Sequence, residues 1–133
     1  MSEPTLTPSA EQLQRLAAAP DSGPVVMLNL LRYRDEASDG SGRSGREAYM
    51  DYGALVTPMV EARGGTFVVL AVADQTVIGP ADEEWDEMVL VQYPSRAAFL
   101  DMIGDPDYLA AHVNREAGLA DSRLVATTRI DGA

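Results

Sequence analysis

The sequence contains no cysteine. That excludes disulfides, thiolate metal centres and a cysteine nucleophile. Its single histidine, His112, is too little for a multi-ligand zinc or copper site. Basic residues are scarce: the formal net charge is −11, and the arginines form no stripe. A surface of that sign repels phosphate backbones and anionic lipid, so neither nucleic acid nor a membrane is expected as a partner. Also missing are a G-x-G-x-x-G turn, a phosphate loop, a G-x-S-x-G elbow and an H-E-x-x-H helix. NAD, ATP, serine-hydrolase and zincin chemistry therefore lack support, and no cofactor is expected. No apolar run approaches the roughly 20 residues of a membrane-spanning helix. The opening MSEPTLTPSAEQLQ has neither the basic nor the apolar part of a signal peptide, so a cytoplasmic location is expected.

What is present is an ordinary globular composition, 46% hydrophobic and 23% charged over 133 residues. That suits one domain able to bury its own core. Residues 1–6 read as frayed, and Thr7-Pro8 as the cap and first residue of a short helix ending near Pro20. Asp21-Ser22-Gly23-Pro24 is a turn. Val25 to Tyr33 (VVMLNLLRY) is apolar in both phases, the pattern of a strand covered on both faces. Asp35 to Gly45 is polar and rich in Gly and Ser, which predicts a mobile loop that does not pack.

Ser44 and Glu47 have capping-box spacing for a helix running to about Arg63. Tyr52, Leu55, Val56, Met59 and Val60 form its expected buried stripe. Pro58 bends it, and Gly64-Gly65 ends it. Thr66–Ile78 and Trp85–Tyr93 read as two strands of an antiparallel hairpin. Ser95 caps a helix that turns Ala98, Phe99, Met102 and Ile103 inward and stops at Gly104. Asp105-Pro106 starts another, which Gly118 closes. Ser122–Ile130 is the last strand.

After the leading helix the order is β-α-β-β-α-β. It predicts an α+β, ferredoxin-like fold with a four-stranded antiparallel sheet and an extra N-terminal helix. Residues 1–23 are then an N-terminal extension, and residues 24–133 a single domain. Three strands are apolar on both faces, but the chain has helices for one face only. A second copy is the simplest cover for the other, so a face-to-face homodimer is expected.

Tyr49-x-x-Tyr52, Pro58, Gly64-Gly65, Trp85-Asp86, Tyr93-Pro94-Ser95, Phe99, Asp105-Pro106-x-Tyr108 and Arg115 occur in this order. Together the set resembles the domain-of-unknown-function family 1330, over roughly residues 25–130. The leading helix and the 35–45 loop look like additions to the minimal pattern of that family. The resemblance implies the dimeric α+β barrel superfamily, with a homodimer and a pocket between sheet and helices in each half. It implies no reaction. Relatives in the superfamily include cofactor-independent monooxygenases, lactone isomerases and haem-binding dismutases, and fold does not choose among them.

Several side chains carry candidate chemistry. Asn29, in the middle of an apolar strand, is either a pocket group that orients a ligand or a satisfied structural amide tying strand to helix. Tyr49 and Tyr52 share a helix face and are either phenolic acids or donors in a pocket, or core aromatics with rim hydroxyls. Tyr108, His112 and Arg115 share a stripe, beside a Leu109/Val113 stripe expected in the core. His112 is a candidate general base or an axial haem ligand, against a plain rim histidine. Arg115 anchors a ligand carboxylate or bridges Asp86 or Asp107. Arg32 is a weaker anion candidate. Trp85 and Tyr93 share strand parity and are expected to bound a pocket or an interface. The acidic run Asp82–Glu87 lacks the spacing of a calcium loop and reads as a solvated hairpin tip.

Two functions fit these residues. One is a small-molecule pocket, acting without cofactor on a modest apolar or aromatic acid or ketone in the manner of a monooxygenase or isomerase. The other is a non-catalytic dimeric binding or interaction module. Haem binding through His112 is a third, lesser reading.

Overall fold

The computed structural model describes residues 4–21 and 23–131. The expected fraying at residues 1–3, Ser22 of the expected turn and the last two residues of the tail lie outside them.

Helix α1 spans Ala10–Ala18. Its cap is Ser9 rather than the expected Thr7. The physical reason is reciprocity: Ser9 Oγ accepts from the Gln12 amide while Gln12 Oε1 accepts from the Ser9 amide, so two backbone donors are satisfied at once. Residues 4–6 are not frayed either. The Thr5 amide donates to Asp121 Oδ1, and the Thr5 carbonyl accepts from Ser122 Oγ. After α1, Asp21 accepts from the backbone N–H groups of Arg96 and Ala97, filling unsatisfied donors at the next helix start but one.

Strand β1 spans Val25–Tyr33, helix α2 Gly45–Ala62, and strands β2 and β3 span Thr66–Val72 and Glu87–Tyr93. Helices α3 and α4 follow at Arg96–Ile103 and Pro106–Gly118, then strand β4 at Leu119–Thr127. All pairings are antiparallel and the sheet order is β2-β3-β1-β4, as the ferredoxin-like reading requires. The Ser44/Glu47 capping box, the Ser95 cap and the Asp105-Pro106 start all form as expected. Gly64 ends α2 with a φ of 77°, in the left-handed region.

Alternation along the ladders separates the two faces. Val25, Met27 and Leu31 of β1 and Val89, Val91 and Tyr93 of β3 meet Val56, Val60, Phe99, Met102, Tyr108 and Ala111 of the helices in one core. The opposite face carries Val26, Leu28 and Leu30, paired with Gln92, Leu90 and Met88.

Several expectations are corrected. The 35–45 loop packs: Ala37 is buried with Ala48 and Ala117, and Arg43 binds Asp39, Asp51 and Asn114. One arginine fork supplies enough donors to order a segment whose composition argues for mobility. Strand β2 stops at Val72 and β3 starts at Glu87, because these two residues are the last pair of their ladder. Val77 and Ile78 are accordingly exposed. Strand β4 begins at Leu119, immediately after α4, and ends at Thr127. A register shift between Arg32 and Tyr33 lets Tyr33 pair with Leu119, which draws the strand start toward the helix. Leu55 of α2 is exposed rather than buried, since α4 covers the neighbouring stripe.

Candidate functional site

Helices α2 and α4 run across the sheet with their tyrosines facing inward. Tyr33 of β1 touches Tyr49 at a ring-centroid distance of 5.6 Å, Tyr49 touches Tyr52 at 5.3 Å, and Tyr52 touches Tyr108 at 6.1 Å. Tyr108 in turn lies 5.6 Å from the His112 imidazole. The Tyr52 and Tyr108 hydroxyls share a hydrogen bond of 3.0 Å. Aromatic rings thus fill the region where an open pocket was expected, and a ligand enters only if some element moves. A shallow surface depression lies elsewhere, along α2, lined by Arg43, Ser44, Arg46, Glu47, Met50 and Asp51.

Burial sets the electrostatics. It pushes the Tyr49 phenol up to about 12, with the Arg115 charge opposing. Tyr52 is raised as well, by burial and then by its tyrosine neighbours. Both are neutral hydrogen-bonding groups near pH 7, not phenolates. The Tyr33 hydroxyl is buried near the Glu87 carboxylate, and burial followed by that carboxylate raises it.

His112 keeps 15% of its side chain exposed, and its Nδ1 lies 2.9 Å from Glu116 Oε1. Burial first and the Arg115 charge second lower its affinity for a proton, while Glu116 opposes them. A neutral imidazole in the tautomer whose Nδ1–H donates a hydrogen bond to Glu116 carries a free lone pair on Nε2, the form a general base needs. The lowered value also fixes a pH dependence. The folded chain binds this proton less well than the unfolded chain, so the contribution of His112 to stability is present above the unfolded value near 6.5 and falls as pH drops through the folded one. Melting temperatures of wild type and His112→Gln should therefore diverge between pH 7.5 and 5, wild type losing more. Parallel curves would refute it.

Arg115 is 7% exposed. Its guanidinium donates to the Leu6 carbonyl and to Ser122 Oγ at 3.2 Å. It forms no ion pair among the described residues, so the expected bridge to Asp86 or Asp107 is absent. Asp86 instead accepts from the Tyr33 amide.

The remaining candidates separate. Asn29 lies on the helix-facing row of β1, but its amide nitrogen donates to the carbonyls of Met27 and Val89, so it ties strand to strand where the structural reading expected strand to helix. Arg32 donates to the carbonyls of Asp82 and Glu84 and stacks on Trp85, which Arg123 also approaches, at 5.6 and 5.1 Å from the ring. Arg123 pairs across the ladder with Leu30, so Trp85 belongs to the face away from the helices. Tyr93 is buried on the helix side against Phe99, 5.2 Å away. The shared parity expected of Trp85 and Tyr93 fails because Trp85 precedes the strand, where alternation no longer holds. The Leu109/Val113 stripe is exposed, and the Tyr108/Ala111/Arg115 stripe is the buried one. Among the described residues no cluster of acidic or histidine side chains could hold a metal. No helix among them is long and apolar enough to cross a membrane.

Tyr33, Tyr108 and Ser122 join the cluster without having been singled out as site residues. Tyr33 was legible from its parity with Asn29, and Tyr108 from its stripe with His112. Ser122 had no sequence signal, because the β4 register that aims it at Arg115 depends on the register shift in β1.

The chain is similar over 96% of its length to a protein of unknown function from Rhodopseudomonas palustris (38% identity, TM-score 0.91, 98% of that chain covered). More distantly it is similar to a dimeric protein of unknown function and ferredoxin-like fold from Bacteroides fragilis (9% identity, TM-score 0.52, 80% of this chain and 96% of that one). It is also similar to SnoaB, a cofactor-independent oxygenase from Streptomyces nogalater (15% identity, TM-score 0.53, 81% of this chain and 94% of that one). At such identities these two show the fold alone. No curated protein matches. The sequence model described as "Domain of unknown function (DUF1330)" matches residues 44–128, more than half of the chain. The chain belongs to the DUF1330 family, on the ferredoxin-like α+β frame found in dimeric α+β barrel proteins.

Proposed function

We propose that this protein binds a small apolar or aromatic carboxylic acid or ketone on the helix side of its sheet. Arg115 holds the anion or polarised oxygen there, and neutral His112 is placed to take a proton. The observation that carries the reading is Arg115 itself: a buried guanidinium with no carboxylate partner among the described residues, beside Tyr49, Tyr52 and His112. Buried charges are ordinarily paired, and a bidentate anion is the natural partner of the arginine fork. The Tyr52–Tyr108 pair and the Tyr33 hydroxyl supply neutral polar groups, and the rings supply an apolar lining. Arg115, His112, Tyr49 and Tyr52 are the residues assigned to ligand and chemistry. Asn29, Arg32, Trp85 and Tyr93 are assigned to the frame.

Likeness of fold to a cofactor-independent oxygenase supports chemistry without a cofactor, by analogy only. The close stacking of the rings favours a second reading, a binding module without turnover. A thermal-shift screen with benzoate, hexanoate and substituted phenols tests both. Carboxylates should raise the melting temperature of wild type and of His112→Gln, and leave Arg115→Gln unchanged. An equal shift in Arg115→Gln would sink the site. Turnover of a bound compound by wild type but not by His112→Gln separates enzyme from binder. Nothing in the geometry favours haem.

The open sheet face supports a homodimer. Leu28, Leu30, Met88 and Leu90 lie there half-buried, flanked by Val69 and Val125, which are 37% and 48% exposed. Apolar area in that arrangement is stabilised by a second copy of the same surface. Sedimentation at micromolar concentration should show a dimer, and a stable monomer would count against it.

A further inference from the structure

We infer that the segment from Thr5 to Ala19 is a strap over the Arg115 site, and that its backbone carbonyls occupy the positions of a ligand carboxylate. The inference rests on the carboxylate reading of Arg115 proposed above. Two carbonyls converge on that point. Leu6 O accepts from the Arg115 guanidinium, and Thr5 O accepts from Ser122 Oγ, which itself accepts from Arg115. Two oxygens presented to a guanidinium and a hydroxyl reproduce the acceptor pattern of a carboxylate. A carbonyl carries no net charge, so it satisfies the hydrogen bonds of the guanidinium but leaves its charge uncompensated. An anion supplies both.

The strap is built to leave. The residues of α1 include none that is buried, and only Leu6 and Leu16 pack part-buried against the core. Helix α1 touches α3 only lightly compared with the α2–α4 packing. Its far end is held firmly, where the Asp21 carboxylate accepts from the Arg96 and Ala97 amides. Release at Thr5–Leu6 with Asp21 as the pivot would uncover Arg115, and with it the core surface that Leu6 and Leu16 pack against, without disturbing the sheet. This gives a ligand an entry step to Arg115. Carboxylate and docked strap exclude one another, so binding is paid for by undocking, and loosening the strap must tighten binding.

Trypsin cleavage after Arg15, exposed on α1, reports undocking in the full-length chain. Benzoate or hexanoate at saturation should speed that cleavage several-fold in wild type while raising its melting temperature. The Leu6→Ser/Leu16→Ser variant should be cleaved rapidly without ligand and bind the carboxylates about tenfold more tightly. Should the double variant not fold, Thr5→Val removes the Thr5 hydroxyl bonds to Asp121, Ser122 and Arg123 without touching Arg115, and should tighten binding about threefold. Carboxylate binding that leaves or slows cleavage, with unchanged affinity in these variants, overturns the strap and leaves the binding site standing. No carboxylate binding by folded wild type or by either folded variant overturns both.

Discussion

Gly45→Ala should destabilise the protein by about 3 kcal/mol or more, and Gly118→Ala by a similar amount. A Cβ on Gly45 would stand 2.1 Å from the Arg34 carbonyl oxygen, 2.6 Å from its nitrogen and 2.6 Å from the Gly118 oxygen. One on Gly118 would stand 2.4 Å from the Gly45 oxygen and 3.0 Å from the Tyr49 nitrogen. All of these are backbone atoms, which cannot rotate away as a side chain end can. They also carry hydrogen bonds that fix the corner: Gly45 N donates to Arg34 O, and Arg34 N donates to Gly118 O. Relief therefore requires α2 and α4 to separate where they hold the tyrosine cluster. Because the two glycines touch each other, the double variant should cost less than the sum of the singles. Gly53, inside α2 with nothing within 4 Å of its would-be Cβ, is the internal control. Gly53→Ala should stabilise by about 0.5–1 kcal/mol through helix propensity alone. Urea unfolding of the three single variants measures all of this, and a Gly45→Ala variant as stable as wild type would refute the backbone collision.

Leu31→Ala should cost about 2–5 kcal/mol. Leu31 is 0% exposed and lies in the core between the paired strands and the helices. It pairs with Glu87 on one side and Ser122 on the other. The cavity left by its side chain cannot be closed by β1 alone, since ladders hold that strand on both edges. For a domain whose total stability is about 5–15 kcal/mol, that loss approaches unfolding. Leu124→Ala on the edge strand, where the side chain is 43% exposed, should cost well under half as much. Equal costs at the two positions, measured by the same urea series, would show that burial does not rank the sites. The strap makes a related distinction, since Leu6 and Leu16 are only part-buried and their replacement should alter binding more than global stability.

How much of the site was legible follows from particular residues. The Tyr108/His112/Arg115 stripe could be read from helical spacing, and Tyr49/Tyr52 likewise, so the cluster was visible as two stripes. That they meet was not, because it depends on how α2 and α4 cross at Gly45 and Gly118. The Leu109/Val113 stripe was the more apolar and yet faces out. Hydrophobicity ranks stripes by their own transfer energy, whereas the fold buries whichever stripe the crossing turns inward. Arg115 is tolerated there because its charged end reaches the Leu6 carbonyl and Ser122.

The amino-acid sequence by itself determined the element order, the caps at Ser44, Ser95 and Asp105, the bounds of β1 and hence the ferredoxin-like frame. Caps, prolines and side-chain periods act over a few residues, so their energies are decided locally. Only the tertiary structure decided where the loop with Arg43 packs, where β4 begins, which face Trp85 joins and what Arg115 binds. Each of those depends on a partner tens of residues away, whose position is fixed by strand register and helix crossing rather than by any neighbour in sequence.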